Sequence, residues 1–150
     1  MKLTTLNCFK TQVSDLAPLA GMPLTSLNLY SCGRLSDLAP LREMALTSLD
    51  LGGTQVADLS TLRGMKLTTL NCYKTQVSDL APLEGMPLMS LNLLECPKLH
   101  ALAPLTRMNL TEISLTPKNF TKEMLEVIRP CKSLKTIVIG LRSSFITGRT

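Results

Sequence analysis

Large aromatic side chains are scarce in this sequence. Its 150 residues include three Phe, two Tyr and no Trp, so that aromatics make up 3% of the chain while hydrophobic residues make up 45%. Leucine dominates the apolar residues, which predicts a layered core built from one repeated side chain. The composition argues against disorder, because the apolar content is high and charges of both signs are mixed.

The patterns of common catalytic and metal sites are also missing. There is a single histidine, His100, and none of the five cysteines forms a C-x-x-C pair, so no zinc pattern is available. No P-loop, G-x-G-x-x-G or G-x-S-x-G motif occurs. His100 takes a place that is serine in other repeats, and no nucleophile is expected beside it. We therefore predict that the chain is not an enzyme and has no catalytic residue, metal or cofactor.

Neither a membrane span nor a secretory signal is recognisable. No apolar run approaches the roughly 20 residues that cross a bilayer, and the first five residues, MKLTT, contain no apolar signal core. An odd number of cysteines without a signal indicates reduced thiols. We expect a cytoplasmic protein that does not insert into membranes.

The positive charge is concentrated near the C-terminus. Residues 1–117 carry nine Lys and Arg against nine Asp and Glu, whereas residues 118–150 carry seven against two, which together give the net charge of +5. A solvated terminal unit with a disordered tail over residues 141–150 is the favoured explanation. Contact with an anion or a nucleic acid is the weaker alternative, because few aromatic residues interleave with the basic ones.

The chain is organised as a repeat of 21 to 24 residues. Units begin at Leu3, Leu24, Leu46, Leu67, Leu88 and Leu110, and a terminal strand begins at Leu134. A longer repeat lies on top of this one, since residues 1–23 match residues 65–87 at all positions except Phe9/Tyr73 and Ala20/Glu84. A block of three units has therefore been duplicated, and the fold must be a stack of similar units.

The stretch LTSLNLYSCGRL, residues 24–35, resembles the leucine-rich-repeat pattern L-x-x-L-x-L-x-x-(N/C)-x-L in its cysteine-containing form. The following SDLAPL resembles the turn of the short, internalin-like bacterial type. The resemblance covers residues 3 to about 139, although Thr11, Thr54 and Thr75 replace the usual asparagine. It implies an α/β fold: a right-handed solenoid with a parallel sheet on its concave face and mostly short 3₁₀ turns on its convex face, with residues 1–150 as a single domain.

Each part of the unit has a predicted role. Alternation within the strand places Leu6 and Cys8 inside and Asn7 and Phe9 outside, so we read the strand cysteines as core residues. In the return segment, an aspartate can accept backbone N–H groups at the start of a turn whose proline fixes φ. The run KEMLEVIR after Thr121 predicts one α-helix near the C-terminus, ending near Pro130.

The first unit starts in the middle of the pattern and has no polar capping unit before Leu3. An uncapped strand edge is an association hazard. We therefore expect either that the chain is part of a longer array or that this edge pairs with something, including a second copy.

The outward strand residues form a candidate binding surface. Side chains expected to project there are polar in one column and mostly aromatic in the next: Asn7, Asn28, Asp50, Asn71 and Asn92, then Phe9, Tyr30, Tyr73 and Leu94, with Lys10 and Lys74 beside them. Aromatic rings next to polar groups are typical of protein-binding patches. The alternative is that the amides stabilise the sheet and the rings merely cover it.

We interpret the chain as a non-catalytic scaffold that binds a protein or peptide through the concave sheet. Resemblance to bacterial repeat arrays also allows a regulatory or sensor region of a larger protein, such as a serine/threonine protein kinase. Nucleic acid is the less favoured partner, and the identity of the protein partner cannot be read from the residues.

Overall fold

The computed structural model describes residues 2–119 and 121–140 of the chain. Within them, seven short strands form one parallel sheet whose strand order follows the chain. The strands are β1 (Thr5–Asn7), β2 (Ser26–Asn28), β3 (Ser48–Asp50), β4 (Thr69–Asn71), β5 (Ser90–Leu93), β6 (Glu112–Leu115) and β7 (Thr136–Ile139). Each begins two residues after the leucine that starts its unit. The predicted right-handed solenoid with a concave parallel sheet is confirmed. The tail predicted to be disordered, residues 141–150, lies outside the described residues.

Equivalent residues of successive units pair across the sheet. Leu6 pairs with Leu27, Leu27 with Leu49, and Leu49 with Leu70, and the line continues to β7. These residues point into the core, and from β2 to β6 they are buried. Because side chains alternate along a strand, the same register aligns the outward residues in columns on the concave face.

The return segments contain short 3₁₀ turns, as predicted. Their bounds are Ala17–Leu19, Ala39–Leu41, Ser60–Leu62, Ala81–Leu83, Ala103–Arg107 and Pro117–Asn119. In the first four, an aspartate Oδ1 accepts a hydrogen bond of 2.8 Å from the backbone N–H of the first turn residue; these are Asp15, Asp37, Asp58 and Asp79. The fifth unit has Ala101 at this place and lacks that bond. The aspartates therefore serve their own turns.

The chain has threonine or cysteine at the place of the usual asparagine, and the side chains of both residue types donate hydrogen bonds there. The hydroxyls of Thr11, Thr54 and Thr75 donate to the carbonyl three residues earlier at 2.7–2.8 Å. In the longer units, the thiol of Cys32 donates to the carbonyl of Cys8 at 3.1 Å, and that of Cys96 to Cys72 at 3.0 Å. These bonds satisfy carbonyl groups at the end of the strand, where the chain turns away from the sheet.

One α-helix, α1 (Lys122–Ile128), replaces the usual return in the sixth unit. The Thr121 hydroxyl caps it by accepting the N–H of Met124 at 3.3 Å. Met124 is buried against the turn of the fifth unit, whereas the neighbouring apolar residue Leu125 is exposed. No helix within residues 2–119 and 121–140 is long and apolar enough to cross a bilayer.

The first unit is open on one side. Leu3 is 41% exposed, whereas Leu67, which has the same place in the duplicated unit, is completely buried. Leu6 and Cys8 are only partly buried, although Leu70 and Cys72 are fully buried. The two units differ only at Phe9/Tyr73 and Ala20/Glu84, so the difference comes from the unit of β3, which covers β4, whereas no described strand covers β1 on that side.

Candidate interaction face

The outward polar column is a row of turn-forming residues, which we call the asparagine row: Asn7, Asn28, Asp50, Asn71 and Asn92. In each, the side-chain Oδ1 accepts the backbone N–H of the residue two positions on, at 2.9–3.0 Å. The sequence interpretation left these groups free to bond one another or a ligand. The structure instead commits each Oδ1 to bending the chain after its strand, which leaves the carboxamide Nδ2 groups outside these turn bonds.

The next column contains the aromatic row, Phe9, Tyr30 and Tyr73, whose rings stack on one another. The centroids of Phe9 and Tyr30 are 5.5 Å apart with an interplanar angle of 22°, and those of Tyr30 and Tyr73 are 6.1 Å apart at 8°. Both distances lie in the range in which aromatic pairs attract. Three of the five Phe and Tyr residues of the chain therefore form one continuous strip.

Gly52 makes this strip continuous. Tyr30 and Tyr73 lie two strands apart, about 9.6 Å at the usual strand spacing, yet their rings approach to 6.1 Å. A Cβ on Gly52 would lie 2.6 Å from Cδ2 of Tyr30 and 2.8 Å from Cε2, so the Tyr30 ring occupies the space above the glycine. In the sequence, Gly52 takes the place in the third unit that Tyr30 and Tyr73 take in the second and fourth units. A single glycine between two aromatic positions of a column is the feature of the sequence that could have indicated this contact.

Exposure falls along the aromatic row from β1 to β4. The Phe9 side chain is 46% exposed, Tyr30 is half-buried, and Tyr73 is only 7% exposed. The Lys10 ammonium lies 4.9 Å from the Phe9 ring centroid, within reach of a cation–π interaction. Phe9 is thus the most accessible ring of the row, with the exposed Lys10 beside it, and Tyr73 contributes mainly to packing.

The residues after the aromatic row adopt left-handed backbone conformations. Their φ angles are 52–61° at Lys10, Ser31, Lys74 and Glu95, and 70° at Gly53. Four of these residues donate their backbone N–H to a carbonyl of the next unit at 2.7–2.8 Å: Lys10, Ser31, Gly53 and Lys74. The stacking of the units therefore sets this backbone conformation. Lysine at such a position costs about 1 kcal/mol relative to glycine. Lys10 and Lys74 are both exposed next to the aromatic row.

Comparison of the sequence with protein-family models and with curated proteins gives no match. Comparison of the structure with solved structures does give matches. An internalin C2 from Listeria monocytogenes has a TM-score of 0.75 at 21% sequence identity, over 93% of this chain and 62% of that one. The internalin inlF from the same organism has a TM-score of 0.56 at 23% identity, over 91% and 46%.

The fold is a leucine-rich-repeat solenoid. At these identities the likeness concerns the fold alone, and the chain spans 62% and 46% of the length of the two internalins. The leucine-rich-repeat sheet brings the asparagine row, the aromatic row and the two lysines together on its concave face. Asn92 and Leu94 lie on the same face further along the stack and are half-buried.

Four cysteine thiols in and around the leucine-rich-repeat core have a raised pKa. Burial raises the pKa of the thiols of Cys8, Cys72, Cys96 and Cys131, most strongly for Cys72. A nucleophilic cysteine needs the opposite shift together with exposure. All five cysteines are free thiols, and their packing in and around the core agrees with a structural role.

The convex side of the repeats holds His100, next to a shallow cavity of about 260 Å³ that α1 and Asn119 also line. Its Nδ1 lies 2.9 Å from the carbonyl oxygen of Lys98, which orients the ring locally. Within residues 2–119 and 121–140, no group of three His, Cys, Asp or Glu side chains is arranged to hold a metal ion.

Proposed function

We propose that this chain is a non-catalytic module that binds a protein or an extended peptide on the concave face of its leucine-rich-repeat sheet. The observation that carries the proposal is the aromatic row, continuous across Gly52 and open to solvent at its Phe9 end. Stacked rings are rigid and lose little entropy on binding, which suits them to anchor a partner.

The proposed contact lies mainly at the β1 end of the row. Asn7, Phe9 and Lys10 are all exposed and adjacent, so they offer an amide donor, a ring edge and a cation within one turn of chain. Tyr30 extends this surface towards β3. A patch of this composition is typical of interface centres, where aromatic residues are enriched beside polar groups.

The alternative, in which the rings only cover the sheet, explains Tyr73 better than Phe9. Tyr73 is nearly buried and packs against Tyr30, so a structural role accounts for it. Phe9 leaves almost half of its side chain in water, and a covering role gives no reason for a large apolar side chain at the open end of the row. This contrast favours binding over covering.

Phe9→Ala combined with Tyr30→Ala tests the proposal. The probe is a displayed library of random peptides, selected on the immobilised chain. The wild type should enrich a peptide family that the double variant fails to retain. Met89→Ala, which removes an exposed apolar side chain at the start of another strand, should retain it. Equal retention by all three proteins would contradict the proposal.

A cytoplasmic location stays a prediction, supported by five free thiols. It is tested by thiol titration of the protein isolated from its own cells under non-reducing conditions, where five free thiols per chain are expected. Placement within a larger bacterial regulatory protein also stays a prediction. Anion or nucleic-acid contact through exposed Lys122, Arg129, Lys132 and Lys135 is the weaker candidate and should show strong salt dependence.

Self-association through β1 is a second proposed property. The observation that favours it is the exposure of Leu3 beside an outer strand, since such an edge offers both apolar surface and unused backbone groups. Light scattering over a range of concentrations tests it, and a constant monomer mass would count against it.

A further inference from the structure

The duplicate of the first unit shows how a neighbouring unit can cover the strand β1, and we use it as a template. Residues 65–87 repeat the sequence of residues 1–23 with two differences, and in them the strand β4 is covered by the unit of β3. Every core side chain that is open in the first unit is buried in its duplicate, including Leu67, Leu70, Cys72, Val77, Leu83 and Met86. The interface between β3 and β4 therefore shows which groups a neighbour of β1 must supply.

The template specifies hydrogen bonds as well as apolar surface. The N–H groups of Thr68 and Thr69 donate to the carbonyl of Thr47 at 2.8 and 3.2 Å. The carbonyls of Asn71 and Tyr73 accept from Leu51 and Gly53 at 2.8 and 2.7 Å.

On β1, the corresponding groups are the N–H groups of Thr4 and Thr5 and the carbonyls of Asn7 and Phe9. Within the described residues the sheet places no strand on this side of β1. A partner must therefore bring a carbonyl and N–H groups in parallel register.

The opposite edge of the sheet carries complementary groups. Through the register of the sheet, Thr136 of β7 corresponds to Ser48 of β3, so the Lys135 carbonyl corresponds to that of Thr47 and the Ile139 N–H to that of Leu51. Ile137 corresponds to the core residue Leu49 and is only partly buried. Ile139 corresponds to Leu51 and is 42% exposed.

We infer that a second copy of this chain docks its β7 edge against β1, parallel and in the register that β3 has on β4. The inference rests on the self-association proposed above and adds which strand meets β1. It continues the interface that already joins the seven strands, and it covers the apolar edges at both ends of the sheet that residues 2–119 and 121–140 form, Leu3 at one and Ile139 at the other. A two-fold β1–β1 pair would leave Ile139 uncovered.

Such an interface is heterologous, because two different surfaces meet. It does not close on itself, so copies add head to tail and the mass rises with concentration without a plateau. The last unit carries exposed Arg129, Lys132 and Lys135, and the first carries exposed Lys2 and Lys10. Because like charges approach one another, added salt should strengthen the association.

Three blocked variants of the full chain test the inference, one at β7 and two at β1. Ile139→Glu places a charge on the β7 edge. Thr5→Pro removes an N–H from the open side of β1 and leaves the bonds to β2, a place where proline is tolerated on an edge strand. Leu3→Glu is a second β1 block that does not alter the backbone. Met89→Glu is the control, because it adds the same charge at an exposed apolar side chain away from both edges.

The readout is weight-average mass by light scattering, with circular dichroism to confirm folding. The wild type and Met89→Glu should rise with concentration above the monomer mass of 16.4 kDa. Each blocked variant alone should stay at 16.4 kDa. A mixture of a β1-blocked and a β7-blocked variant should reach twice 16.4 kDa and stop, since each partner retains one intact edge.

Three outcomes would overturn the inference in distinguishable ways. A wild type that stays monomeric at all concentrations removes the self-association as well. Association that Leu3→Glu abolishes and Ile139→Glu leaves unchanged keeps self-association but shows that β1 meets another β1. If the β1-blocked and the β7-blocked variants each still associate, and their mixture does not stop at a dimer, the contact lies elsewhere. None of these results bears on peptide binding by the concave face.

Discussion

Leu3 and Leu67 provide a comparison, within one chain, of an open and a covered repeat. They hold the same place in two units that differ at two of 23 positions, but Leu67 is completely buried and Leu3 is 41% exposed. Because the two leucines differ in burial, the same substitution must have different effects at the two places. We predict unequal losses of unfolding free energy for Leu67→Ala and Leu3→Ala.

The magnitudes follow from burial. Leu67→Ala should cost about 3 kcal/mol, because a fully buried leucine loses its transfer free energy and leaves a cavity. Leu3→Ala should cost about 1 kcal/mol, because much of the side chain is already in water and solvent fills the space that it leaves. The difference of about 2 kcal/mol corresponds to roughly 6 °C in Tm for a chain of this size.

Urea unfolding followed by far-UV circular dichroism measures both losses, in dilute protein so that copies do not dock. Met89→Ala removes an exposed apolar side chain and should stay within about 0.5 kcal/mol of the wild type. Equal losses at Leu3 and Leu67 would refute the reasoning, because they would mean that β1 is covered in the isolated chain. At high concentration, the inferred docking should bring the Leu3→Ala loss closer to the Leu67→Ala loss.

Three other predictions concern the concave face and the core. Gly52→Ala should cost about 1–2 kcal/mol and weaken the tyrosine near-UV dichroism, since its Cβ would collide with the Tyr30 ring; an unchanged spectrum would contradict the stacked row. At Lys74, where φ is 52°, replacement by Gly should stay within about 0.5 kcal/mol in urea unfolding, because relief of the left-handed conformation offsets the entropy gained by the unfolded chain. Lys74→Val should cost about 1–2 kcal/mol, and equal stabilities of these two variants would contradict the conformation. The unfolding free energy should fall as pH rises above about 8.5, because burial raises the pKa of thiols such as that of Cys72 and the folded state retains protons that the unfolded state loses; Cys72→Ala should flatten this fall, and an equal fall would show that other groups cause it.

The fold could be predicted because it depends on local, repeated signals. Leucine spacing sets the strands, and Asp15 with Pro18 and their counterparts set the turns, so each unit carries its own instructions. The apolar run of α1 did not show which of its residues face the core, because this helix has no second copy to reveal the inward face. A short apolar run alone does not fix the rotation of one helix.

The candidate face was predictable only in part. The outward columns follow from strand alternation, which aligned Phe9, Tyr30 and Tyr73 correctly. Stacking across Gly52 did not follow, because it joins side chains that lie two strands apart and depends on a ring leaning over a missing side chain. The turn bonds of the asparagine row were within reach of the sequence, since asparagine after a strand commonly accepts the N–H two residues on.

The proposed functions fall where the repeat is broken. An array of identical units presents the same groups at every strand, so a partner would bind equally well at each of them. Gly52 interrupts the outward column and lets two tyrosines meet, and Phe9 differs from its duplicate Tyr73 both in chemistry and in exposure. The edges at β1 and β7 are the remaining departures, because within residues 2–119 and 121–140 each has a neighbouring strand on one side only. The proposed recognition therefore depends on position within the stack. The paired substitutions at Leu3 and Leu67 measure how the burial of one side chain depends on that position.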